Sequence, residues 1–74
     1  MHFDYSKLLG RIRERGITQE MLAKAIGMTA ATLSLKLNNK AVFKQSEIKR
    51  ICAALEIEDE DILGYFFTQE AQEN

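Results

Sequence analysis

The sequence predicts an all-α domain of five short helices, and three observations support that. No stretch alternates apolar and polar residues with β-branched enrichment, as a half-buried strand would. Apolar residues instead recur three and four apart, the spacing that gathers side chains on one helical face. The chain has no proline, and its four glycines sit near element ends or in isolated positions. Seventy-four residues make one domain, close to the size at which a hydrophobic core suffices without disulfides or metals. An apolar fraction of 46% is ordinary for a globular chain, so disorder is not expected over most of it.

Asp4 can cap a first helix over about residues 5–15, with Tyr5, Leu8, Leu9 and Ile12 on one face and Gly16 as its stop. Lys7, Arg11 and Arg15, four apart, form a basic stripe on its other face. A second helix, about 19–26, is capped by Thr18 and ended by Gly27. Its expected buried face is Met21, Leu22, Ala25 and Ile26, and Ala23 is small enough for close helix contact. Thr29 caps a third helix, about 30–38, whose Leu33 and Leu37 face inward with Ala30 near the edge. At 100° per residue, Ala31, Thr32, Leu35, Lys36 and Asn38 are placed on or near the outward face. Asn38-Asn39-Lys40 suits a helix end, because asparagine tolerates left-handed dihedrals.

Val42 and Phe43 are expected to anchor the next loop to the core. A fourth helix, about 45–55, buries Ile48, Ile51, Cys52 and Leu55. After the short connection Glu56-Ile57-Glu58, a fifth helix over about 59–67 starts with three acids that suit its positive end. Ile57 and Ile62 have the spacing of a hydrophobic staple across that start. Residues 1–67 thus read as one domain, with 68–74 a polar tail expected to fray.

A net charge of −1 conceals an asymmetry. All ten Lys and Arg lie in residues 1–50 against four acids, a local +6, whereas residues 51–74 hold seven acids and no base. Local charge governs counterion release, so the basic part suits a polyanion despite the acidic pI of about 5.8. The single cysteine and the lack of a signal peptide or long apolar run point to a reduced, cytoplasmic setting with no membrane. His2 is the sole histidine, leaving almost no material for a metal site or a catalytic triad. Ser6, Ser34 and Ser46 have no histidine partner, and Cys52 reads as a small core residue. No enzyme, cofactor or small-molecule ligand is expected.

Thr18, Gln19, Leu22, Ala23, Gly27, Thr29, Thr32, Leu33 and Ser34 meet the pattern T-Q-x-x-L-A-x-x-x-G-x-T/S-x-x-T-L/I-S. In this the chain resembles the helix-turn-helix family of phage Cro and phage repressor type. The run Lys36 to Lys40, the Ser46-Glu47-Ile48 start of helix four and Tyr65-Phe66-Phe67 are similar to small Cro-like regulators of phages of Gram-positive bacteria. The resemblance implies a lambda-repressor-like domain that lays residues 30–38 in the major groove, about 12 Å wide. It assigns Gln19 to a phosphate, at a helix start where free N–H groups favour an anion. It places Ala30, Ala31, Thr32 and Leu35 at the bases with Ser34 at the edge, and the cap Thr29 with Lys36, Asn38 and Asn39 completes the DNA-binding set. Arg11, Lys40 and Lys44 are phosphate candidates.

This set departs from the usual Gln, Arg and Asn readers. Alanine, leucine and a threonine methyl can pack on thymine methyl groups but cannot make bidentate bonds to base edges. Specificity would then fall on Lys36, Asn38, DNA shape and two-fold spacing. Three consecutive aromatics cannot share one helical face, so Ile62, Tyr65, Phe66 and Phe67 suggest a homodimer suited to a palindromic operator. The expected function is a double-stranded DNA-binding transcriptional regulator of the nucleoid. The rival is a protein-interaction module, antirepressor or antitoxin-like, supported by the apolar outer face of Ala31 and Leu35 and by the acidic tail.

Overall fold

Capping chemistry sets the helix boundaries in the computed structural model, which describes residues 2–70. The elements are α1 (Ser6–Glu14), α2 (Gln19–Ile26), α3 (Ala30–Leu37), α4 (Gln45–Leu55) and α5 (Ile62–Phe66), with a 3₁₀ turn at Asp59–Asp61 leading into α5. The Asp4 carboxylate accepts from the Ser6 N–H at 2.9 Å and from the Ser6 hydroxyl just ahead of α1, whose N-cap residue is Tyr5, one later than expected, and makes no side-chain cap bond. Thr18 and Thr29 each accept from the N–H three residues on, both at 3.1 Å, starting α2 and α3. Gly27 closes α2 at φ 80°, a left-handed conformation that a glycine adopts without Cβ strain. Glu56 ends α4 at φ 55° without that advantage, and two arginines described below hold it there.

The core is one cluster. Leu8, Leu22, Leu33, Ile51, Leu55 and Phe66 are its largest fully buried side chains. α2 packs against α3 and α4, and α1 against α5. At one end an aromatic chain closes the core. Phe3 meets Phe67 edge-on at 5.7 Å, Tyr5 meets Phe43 at 5.4 Å, and Phe43 meets Phe66 at 5.5 Å. Such T-shaped pairs add about 0.5–1.5 kcal/mol each beyond their buried area.

Four local expectations are corrected. Met21 and Ala25 are exposed, because the buried stripe of α2 is Leu22, Ala23 and Ile26 and its flanks turn away. Val42 is exposed and Phe43 alone anchors the loop. The fifth helix is shorter than expected, its acidic start being a 3₁₀ turn. Residues 68–70 are not loose. Asp4 N–H donates to Thr68 O at 2.7 Å, Glu70 N–H donates to His2 O at 3.2 Å, and Phe3 and Gln69 form an antiparallel bridge. Sequence polarity does not register this pairing, since backbone groups of a polar segment bond as well as any others. The rest of the polar tail, residues 71–74, lies outside the described residues. Among the described residues no helix is long and apolar enough to cross a membrane.

Candidate functional site

The α2–turn–α3 unit is built as its sequence predicts. Ala23, almost fully buried, lets the helices approach, and its carbonyl accepts from the Met28 N–H at 2.9 Å across the turn. Thr29 does double duty at the start of α3, its hydroxyl also donating to the Thr32 hydroxyl at 2.9 Å. Asn38 folds back on its own helix, donating from Nδ2 to Ser34 O at 2.8 Å. Gln19 is exposed on the first turn of α2.

The outward surface is small and apolar. Ala31 is exposed, Leu35 is 48% exposed and Met21 is 54% exposed, while Ala30, Thr32 and Ser34 are half-buried. Lys36, expected to stand beside them, is a correction. Only 6% of it is exposed, and its Nζ meets Glu47 Oε1 at 2.5 Å. The same carboxylate oxygen accepts from the Lys44 N–H at 2.8 Å, so one acid caps α4 and neutralises a lysine of α3. Burial alone would raise the Glu47 pKa, but the Lys36 hydrogen bond, the Lys44 N–H and both lysine charges outweigh it. Its carboxyl is held below the ordinary range. No charge from Lys36 reaches the outer face.

Asn39 is a second correction. Its carboxamide accepts from the Phe3 N–H and donates to the Phe3 carbonyl, each at 2.9 Å, so both ends of the group are used inside the molecule. Arg11 is a third. Its guanidinium donates to Leu55 O at 3.0 Å and Glu56 O at 3.2 Å, satisfying carbonyls that the end of α4 leaves open. The whole stripe of α1 is engaged on the same side. Lys7 lies 4.5 Å over the Tyr65 ring, and Arg15 pairs with Glu56 at 2.5 Å. Arg50, on which sequence reasoning was silent, donates to Ile26 O at the end of α2. Among the described residues, Arg13, Lys24, Lys40, Lys44 and Lys49 make no ion pair.

The dimer candidates also separate. Phe66 is 1% exposed and belongs to the core, so it has no surface to offer a second copy. Ile62 and Tyr65 are half-buried and Phe67 is exposed. Leu63, at 73% the most exposed residue of this helix's apolar set, was missed; it lies one turn before Phe67, a spacing that would have pointed to it. No group of three or more His, Cys, Asp or Glu side chains among the described residues could hold a metal.

The molecule therefore falls in the class of small five-helix proteins organised around two short helices and a tight turn. The chain belongs to the family described as protein of unknown function (DUF739), whose model matches residues 1–69. It is also similar to the solution structure of the modulator of repression (MOR) of the temperate bacteriophage TP901-1 from Lactococcus lactis. The two are 43% identical with a TM-score of 0.78, over 97% of each chain. No curated protein matches it.

Proposed function

We propose that this chain is a phage or prophage regulator that modulates repression by docking on a repressor protein through the outer face of α2–turn–α3. The observation that carries the proposal is the character of that face: exposed Leu35, Met21 and Ala31, with the one long cation of α3 drawn into the interior. An apolar face of this kind suits protein contact, since leucine and alanine make no bidentate bond to a base edge. Its likeness to a phage modulator of repression supports the regulatory class. The role is one of binding and not of catalysis, performed in the cytoplasm.

A second reading, direct binding of operator DNA at the nucleoid, is favoured by the basic N-terminal part and by Gln19 at the start of α2. In it Lys24, Lys40 and Lys44 take phosphates, Ala30, Ala31, Thr32, Ser34 and Leu35 pack on bases, and Asn38 exchanges its bond to Ser34 for one to the duplex. A homodimer would then close over Leu63 and Phe67, with Ile62 and Tyr65 at its margin.

Titration of the isotope-labelled chain with the repressor and operator of the same phage genome separates the readings. Protein docking predicts shifts centred on Met21, Ala31 and Leu35 and an affinity that changes little with salt. Operator binding through 6–10 phosphates would lose about 10³–10⁵ in affinity between 50 and 200 mM salt. Steep salt dependence with no shift from the repressor would overturn the proposal.

A further inference from the structure

The backbone groups of Phe3 are satisfied in an unusual way. In the short antiparallel ladder, the bonds on either side of the Phe3–Gln69 pair run from Asp4 to Thr68 and from Glu70 to His2. Phe3 itself is the non-hydrogen-bonded member, so its own N–H and carbonyl point to the opposite edge. A third strand would normally receive them there. Asn39 receives them instead, its Oδ1 and Nδ2 offering an acceptor and a donor in the arrangement of one peptide unit. Asn39 is brought there by its backbone, which takes φ 62° immediately after the C-cap residue of α3.

The ladder covers an aromatic cleft. Phe3 seats its ring against Phe67 and, at 6.3 Å, against Tyr5, over a cavity of about 160 Å³ whose other walls include Phe43, Phe66 and Ala41. Three residues of ladder are too short to hold themselves closed, and an isolated pair of strands is at best marginal in water. What fixes the segment is the grip of Asn39 on one edge and the packing of Phe3 beneath.

We propose that Asn39 is a latch that joins both chain ends to the C-terminal end of α3, so that residues 2–4 and 68–70 open and close as one unit over the aromatic cleft. Closure holds the exit of α3 in place, and opening bares Phe43, Phe66 and Tyr5 while the rest of the core stays folded. The latch is independent of whether α3 meets protein or DNA.

Native-state amide exchange on the full chain tests it. In the unmodified protein the Phe3, Asp4 and Glu70 amides share one opening rate, faster than that of Leu22, Leu33 and Ile51. Asn39→Gly keeps the left-handed backbone but removes the carboxamide, and lowers protection of those three amides by about tenfold while leaving the core amides unchanged. Asn38→Ala removes a carboxamide that bonds within α3, and leaves the ladder amides as they were. The proposal is overturned if Asn39→Gly lowers protection uniformly across the core, if it leaves the ladder unchanged, or if Asn38→Ala acts on the ladder equally.

Discussion

Lys36→Met tests whether the conspicuous lysine of α3 belongs to the interior. The Lys36 and Glu47 side chains are only 8% and 13% exposed, so the pair is almost fully removed from water. Removing one partner of a buried ion pair costs about 3–5 kcal/mol, because the other charge stays behind. Glu47 would keep the Lys44 N–H and a sliver of solvent, and methionine preserves most of the packed stem, which lowers the expected loss to about 2 kcal/mol. A domain of this size is stable by about 4–11 kcal/mol, so the loss is a large share of it. Urea and thermal unfolding followed by circular dichroism would show a fall in melting temperature of about 8–16 °C. The double variant Lys36→Met/Glu47→Gln keeps an acceptor for the Lys44 N–H without an unpaired charge, and recovers most of the loss. If Lys36 instead faced solvent, the single variant would change stability by less than about 0.5 kcal/mol and the two substitutions would simply add. Either result would refute the buried pair.

Acid titration gives a related outcome. The Glu47 carboxyl and the Asp4 carboxyl, whose pKa the Ser6 hydroxyl and N–H lower, are both more acidic than usual. Their stabilisation is complete above the ordinary carboxylate values of 4.5 and 3.8 and is lost as pH falls through the depressed ones, so Glu47→Gln flattens the acid limb of a stability-against-pH curve. Gly27→Ala places a Cβ that meets only Arg50 Nη1 at 3.9 Å, so its cost of about 1–2 kcal/mol in urea unfolding is backbone strain at φ 80°. Phe66→Ala removes about 3–5 kcal/mol, whereas Leu63→Gln, at an exposed position, changes stability by less than about 0.5 kcal/mol. Comparable losses at both positions would place Leu63 in the core.

Local chemistry made the helices legible: Thr18, Thr29 and Gly27 act within three residues of themselves, and the predicted ends of α2 and α4 coincide with the observed ones. Lys36 was misplaced because its type outweighed its position. It follows Leu33 by three residues, about 60° short of a full turn, and so lies nearer the buried face than the outer one. The acid at the start of α4 was the available clue. Arg11 and Asn39 were harder, since their partners are 44 and 36 residues away and are backbone groups that any residue type supplies. For the same reason Arg11, which reads as a phosphate contact, turns out to close the end of α4. Residues whose partners are local yield to periodicity, and those that bind distant carbonyls do not.

The surface around Leu35 is the proposed protein-docking face. The most direct measurement is calorimetric titration of the repressor from the same phage genome with the unmodified chain and with Leu35→Glu, whose substitution at a half-exposed position leaves melting unchanged. Docking through Leu35 gives a salt-tolerant complex that the substitution weakens at least tenfold. Equal affinity for both chains, or no complex with the repressor beside tight binding of Leu35-containing protein to operator DNA, would contradict it.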